Sequence, residues 1–247
     1  MKVTFLGTNG WYDSPTGKTP CVLLDTGNEY LVFDAGNGFS RLDQYLTRPL
    51  PVYCFFSHYH LDHVIGLHTL VKNKFERGIH LFGPGPAKET LATLLSSPFS
   101  VELADMPFQL TIADAPQGLN TLPFQVEALP LVHTAPCLGY RVEIGGKSLA
   151  YCTDTGYCAN AVTLAKAADL LITECALLPG QPDNGWPHLN PELAARIALE
   201  ADAKRLVLMH FDAANYCTLE QRELAQQTAR QIFANTDAAV DDLEILL

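Results

Sequence analysis

The hydrophobic positions of this chain fall in short runs, each closed by polar or turn-forming residues. Runs at 2–6, 21–24 and 30–34, with a loop rich in Gly, Ser, Thr and Pro at 7–19, predict an opening β-meander. The apolar run 52–56 predicts a buried strand, and 64–72, carrying Leu67 and Leu70, a helix behind it. A strand at 79–82, a Gly-Pro-Gly-Pro turn at 83–86 and a helix at 88–95 follow. Runs at 108–112, 124–132, 139–143 and 148–153 predict a second β-rich block, its last two strands joined by a hairpin at Gly145-Gly146. Helical patterns cover 159–168, then 191–201 with Asn190 as N-cap and Pro191 at the first helical position, then 219–234. Strands at 170–173, 205–209 and 243–246 interleave with them. Strands followed by helices in each half suit an α/β architecture of two sheets packed face to face with helices outside.

Composition narrows the class. A chain of 247 residues without an internal composition break reads as one domain, 1–247. No apolar run reaches 18 residues and MKVTFLGTNG carries no cleavable signal pattern, so a soluble cytoplasmic protein is expected, with no membrane partner. Seven scattered cysteines without a C-x-x-C pair read as buried or half-buried reduced thiols. A net charge of -11 argues against general nucleic-acid binding.

The chemistry gathers in Ser57–His63, SHYHLDH, which puts His58, His60, Asp62 and His63 into six consecutive positions. In an extended segment alternate side chains share a side, so His58 and His60 can pinch one ion. Asp62 and His63, where the chain turns into the helix, point toward a second. Other strand ends carry the same residue types: His133 after ALPLV, His210 after LVLM and Asp154 after LAYCT, so their side chains can converge in one cleft. Asp34, closing the third strand, is a candidate for orienting a histidine ligand. His68 and His80 lack such a context.

These motifs resemble the ordered metal-binding motifs of the metallo-β-lactamase superfamily, from FLGTNG at 5–10 to His210 in LVLMHF. Within it the chain looks most like the phosphodiesterase branch of ribonuclease Z and the cyclic phosphodiesterase of the carbon-phosphorus lyase pathway. The marks are LGT near the start, HYHLDH followed by Gly66, and PLVH preceding GYR. Glu174 in LLITEC with His188 in HLNP resembles the branch's HEAT and HST motifs. The resemblance implies a four-layer αββα sandwich with the site at one rim and two divalent ions, zinc before manganese or iron. His58, His60 and His133 would hold one, Asp62, His63 and His210 the other, and Asp154 would lie between them.

Two departures bear on the substrate. Ribonuclease Z carries its tRNA-gripping arm between the motifs matched here by His133 and Asp154, and here a tight hairpin occupies that interval. The carbon-phosphorus lyase relative has a cysteine-rich zinc insertion near its start, whereas only Cys21 lies between Gly7 and Leu23 here. The expected activity is therefore hydrolysis of a small anionic phosphodiester, cyclic ones included, by a metal-bridging hydroxide. Glu174 would hold His188 as general acid, and Asp62 would count with them among the catalytic residues. Tyr59, Tyr140, Arg141 and the backbone near Gly7 and Thr8 are the candidate substrate contacts. Alternatives are a glyoxalase II-like thioester or lactone hydrolase, a ribonuclease Z-like RNA-processing enzyme, and a flavodiiron-type redox protein, which would carry a carboxylate at His60. A degenerate binding module would have lost ligands. A homodimer is compatible with all of these.

Overall fold

The computed structural model describes residues 1–247. The first half contains strands β1 (Lys2–Gly7), β2 (Asn9–Gly10), β3 (Cys21–Asp25), β4 (Tyr30–Phe33), β5 (Val52–Phe55), β6 (Ile79–Pro84) and β7 (Leu110–Ala115). It also contains helices α1 (Leu61–Val64) and α2 (Ala87–Leu94). The second half contains β8 (Gln125–Pro130), β9 (Leu138–Ile144), β10 (Lys147–Cys152), β11 (Leu170–Glu174), β12 (Leu206–Met209), β13 (Phe211–Asp212), β14 (Thr236–Ala238) and β15 (Glu244–Leu246). Its helices are α3 (Ala159–Ala165), α4 (Pro191–Glu200) and α5 (Leu219–Arg230). One sheet has the order β15-β1-β3-β4-β5-β6-β7 and the other β14-β12-β11-β10-β9-β8, while β13 and β2 form a two-stranded parallel ribbon.

Strand alternation makes the layers. Val3, Phe5, Leu31, Phe33 and Phe55 of the first sheet meet Leu149, Tyr151, Leu170, Ile172, Val207 and Met209 of the second in one buried core. The residues between them face outward. Leu6, Val32 and Cys54 pack under Phe39, Leu67 and Leu91, whereas Ala150, Leu171 and Leu208 pack under Leu164, Ile197 and Ala225. A side chain on each face of every central strand is buried, which is the four-layer sandwich.

Most predicted elements stand within a few residues of their expected bounds, and Gly145 and Gly146 both take the positive φ that a two-residue hairpin needs. Asn190 caps α4 by accepting from Leu193 N at 2.9 Å, with Pro191 at the first helical position. The segment 64–72 departs from expectation: a single α-turn, α1, passes into a 3-10 helix over Ile65–Lys72. Gly66 N donates to Ala35 O at 2.8 Å instead of to its own helix, and a Cβ there would lie 2.1 Å from Gly36 O. Tertiary packing has overridden helical periodicity. The short strands β2, β13 and β14 and the 3-10 segments Asn37–Gln44, Leu103–Asp105 and Gln117–Thr121 carry no periodicity that predicts them. All seven cysteines are unpaired, and Cys217, expected to be buried or half-buried, is exposed. No helix is long and apolar enough to cross a membrane.

Candidate metal centre

The cleft opens where strands of both sheets end. Asp34 follows β4, His58 lies three residues past β5, Asp154 two past β10 and His210 directly after β12. His133 sits farther out than its apolar run suggested, because β8 stops at Pro130 and Leu131 N turns to Cys137 O. Seven non-glycine residues have positive φ, and four of them, Trp11, Asp34, Asp154 and His210, surround this cleft. A Cβ makes that conformation costly, so it persists where surrounding contacts enforce it. Here it turns three ligand-type side chains off the ends of their strands.

The seven predicted ligand positions are brought together. His58, His60, His133 and Asp154 offer donor atoms that all lie within 4.8 Å of one another, as do Asp62, His63 and His210. Asp154 faces both sets with different oxygens. Its Oδ2 stands 3.6 Å from His58 Nε2 and 3.9 Å from His133 Nε2. Its Oδ1 stands 3.4 Å from His63 Nε2 and 3.0 Å from His210 Nε2. Asp62 Oδ2 closes the second set at 3.5 Å from His63 Nε2 and 3.4 Å from His210 Nε2. His133 Nε2 and His60 Nδ1 are 3.3 Å apart.

These residues fit a divalent cation at each set. Bonds of ~2.0–2.1 Å to a tetrahedral ion hold its donors roughly 3.3 Å from one another, in the middle of the spacings observed. His58 Nε2 is buried with no hydrogen-bond partner, which leaves its lone pair for another electrophile. Burial and the neighbouring His63 press His58 down to about 2, so it is a neutral, ligand-competent imidazole. Burial opposes a proton on His210 too, yet Asp154 and Asp62 hold it up to about 10. The two carboxylates demand positive charge among these nitrogens, and a metal ion supplies it as well as a proton does.

A surrounding layer of contacts fixes the imidazoles. Asp34 is buried and takes His63 Nδ1 at 2.9 Å on Oδ2, Ser57 N at 2.7 Å on Oδ1 and the Tyr151 hydroxyl at 2.8 Å. Gly10 is the floor beneath His210, since a Cβ there would stand 2.6 Å from the ring. Arg222, 1 % exposed, donates to Thr8 Oγ1, Asn9 Oδ1, Thr16 Oγ1 and Ala239 O and lies over the Phe211 ring, locking the loop before Trp11 to the strand after His210. Trp11 N in turn donates to Asp62 Oδ2 at 2.9 Å. Replacing Asp34 by Asn keeps size but removes the charge that orients His63, so metal affinity should weaken about 10–100-fold. Competition with a zinc indicator reads this directly, and unchanged affinity would make Asp34 a fold residue only.

His188 lies beside the ligands, its ring stacked 6.1 Å from that of His210. Its Nδ1 meets both Glu174 oxygens at 2.8 and 3.0 Å, and Glu174, itself fully buried, also accepts from Thr155 N. Burial opposes protonation of His188, but Glu174 outweighs it and raises the imidazole above its usual value. Asp154, His188 and His210 form a third close set.

The expected substrate contacts are elsewhere. The Tyr140 hydroxyl is buried and donates to Phe56 O, and the Tyr59 hydroxyl donates to Pro84 O. Arg141 is spent on Glu143, Leu164 O and Lys166 O. Thr8 bonds Asp241, and Gly7 is pressed against Thr19 O. The cavity over the ligands, about 470 Å³, is walled instead by Gly10, Trp11, Ala176, Gln181, Trp186 and Asn215. One signal for two of them was present: both tryptophans of the chain stand in an Asn-Gly-Trp tripeptide, at 9–11 and 184–186.

Comparison with known proteins agrees with this architecture. The β-lactamase superfamily domain matches residues 22–211. The probable metallo-hydrolase YhfI of Bacillus subtilis (strain 168) is 28% identical over 219 residues, 85% of this chain and 86% of the relative. Its crystal structure superposes with a TM-score of 0.82 at 23% identity, covering 99% and 98% of the two chains. Ribonuclease BN of Cronobacter sakazakii is 27% identical over 306 residues, 99% of each chain. The short form of human tRNase Z superposes with a TM-score of 0.72 at 26% identity, covering 100% and 99%. The histidine and aspartate cluster at the rim of a four-layer sandwich is thus that of a metallo-hydrolase, and the chain belongs to the metallo-β-lactamase superfamily.

Proposed function

We propose that this chain is a dinuclear metal-dependent phosphodiesterase acting on a small, anionic phosphodiester, cyclic ones included. The observation that carries it is Asp154, whose two oxygens serve separate histidine sets while His188, backed by Glu174, stands beside them. His58, His60 and His133 would hold one ion and Asp62, His63 and His210 the other, and zinc suits nitrogen and oxygen donors without a thiolate. The chemistry such ions would supply is activation of water as a nucleophile near neutral pH and neutralisation of charge growing on the phosphoryl oxygens. Asp154 sets the spacing of the two centres, and Asp34 keeps the His63 ring in place. His188 gives a proton from Nε2 to the leaving oxygen, and Glu174 steadies the imidazolium beforehand. Asp62 joins the catalytic set by fixing the second centre where the reacting phosphorus must sit.

An RNA-processing role is favoured by the similarity to ribonuclease BN, but chain length and charge argue against it. An alignment of 306 residues on a chain of 247 leaves about sixty positions of that relative without a counterpart here. With net charge -11, a folded RNA would need a dedicated basic surface to overcome repulsion. The test is kcat/KM for bis-p-nitrophenyl phosphate and a ribose cyclic phosphate against a tRNA precursor at matched salt, with a thioester and a lactone as controls. Small diesters should turn over and the precursor should not. Efficient 3′ processing without small-diester turnover, or preference for the thioester or lactone, overturns the proposal.

A further inference from the structure

We propose that Trp11 and Trp186 form a clamp for a nucleobase, so that the phosphoester taken by this site is a nucleotide; this rests on the phosphoester reading above. Both tryptophans of the chain line the one cavity that holds the histidine and aspartate cluster. They are 67% and 59% exposed, so neither is needed to fill a core. Large aromatic faces left in water beside a charged centre cost free energy in the empty protein and are recovered when a flat apolar surface covers them. Each closes an Asn-Gly-Trp tripeptide, one directly after β2 and one on the loop before α4, so the rings come from separate segments of chain. Trp11 is further tied to the centre through its amide on Asp62 Oδ2.

The polar wall adds a second, independent observation. Asn215 Nδ2 donates to Ala176 O at 3.0 Å, which identifies its free amide atom as the acceptor Oδ1. Gln181 Oε1 accepts from Leu178 N at 3.0 Å, so its free atom is the donor Nε2. Neither free atom has a partner within the protein, and both residues line the same cavity as the tryptophans. Stacking faces together with one unspent acceptor and one unspent donor match a nucleobase, which offers two aromatic faces and an edge of donors and acceptors. An alkyl phosphoester would leave the faces uncovered, a sugar phosphate would offer them no aromatic surface, and a plain aryl ester would leave the amides unused.

The chain's only two tryptophans are both at the site, so their fluorescence reports it without a label. Zinc-loaded protein is titrated with adenosine monophosphate, and ribose 5-phosphate and phenyl phosphate are measured by displacement. Adenosine monophosphate should quench the emission and bind at least about tenfold more tightly than either competitor. Trp11→Ala and Trp186→Ala should each remove most of that margin at unchanged zinc content, and Gln181→Ala with Asn215→Ala should remove the margin over phenyl phosphate. Equal binding of adenosine monophosphate and ribose 5-phosphate overturns the clamp, and equal binding of phenyl phosphate overturns the nucleobase assignment. The readout is binding, so it separates from the phosphodiesterase reading: base-selective binding with no diester turnover would leave this inference standing and remove that one.

Discussion

Asp154→Ala should empty both metal sites together and lower phosphodiester turnover by about a thousandfold. The geometry requires the joint loss, because Oδ2 faces His58 and His133 while Oδ1 faces His63 and His210. A pair of ions contributes several kcal/mol of transition-state charge stabilisation, and about 4 kcal/mol corresponds to three powers of ten in rate. Removing the carboxylate also leaves five imidazoles with Asp62 as the remaining anion among them, a poor match for two dications. His210→Ala is the companion: His210 groups with Asp62 and His63 and meets the other set only through the shared Asp154, so its loss should empty the second site alone. Metal analysis under saturating zinc should find about two ions in the parent, fewer than one in Asp154→Ala and about one in His210→Ala. Two tightly held ions in Asp154→Ala would refute the bridging role.

His188→Ala should slow hydrolysis of a diester with an alkoxide leaving group about 10²–10⁴-fold while changing p-nitrophenolate release far less. An alkoxide leaves poorly without a proton, whereas p-nitrophenolate is stable as the anion. The contrast depends on His188 Nδ1 being engaged by Glu174, which commits the other ring nitrogen to the cleft. Glu174→Gln should give the same selectivity more weakly. Since Asp154, His188 and His210 also make a close set, metal content is the second readout. Loss of an ion in His188→Ala would make it a ligand, and equal loss on both substrates would make it a binding group.

The clustering of the candidate ligands is legible because His58, His133, Asp154 and His210 lie at or beyond the ends of apolar runs, and Asp62 and His63 stand where the chain turns into the following helix. Asp34 was legible for the same reason. The cavity wall was not. Tyr59 lies between His58 and His60 in extended chain, so the alternation that joins the two histidines sends the tyrosine the other way, onto Pro84 O. Tyr140 obeys the same rule by entering the core between the sheets, where its hydroxyl reaches Phe56 O. Trp11, Gln181, Trp186 and Asn215 lie on loops whose paths are set by tertiary contacts such as the Arg222 network, and no periodicity encodes those. The 3-10 segment at 65–72 is a like case, decided by close approach of Gly66 to Ala35 and Gly36.

Neither ligand set is complete within one half of the chain. His60 and His133 are 73 residues apart, His63 and His210 are 147 apart, and the first member of each pair belongs to one sheet's rim and the second to the other's. An ion bound at either set is therefore a cross-link between the two sheets, comparable to a disulfide closing a very long loop. Because, unlike a disulfide, the ion dissociates when the chain unfolds, its stabilising effect would come from binding the docked sheets alone, about 2.7 kcal/mol per site at a hundredfold excess of metal over Kd. Metal loading and the docking of one sheet on the other would thereby be a single linked equilibrium, and the residues proposed to prepare the chemistry would also fasten the sandwich shut.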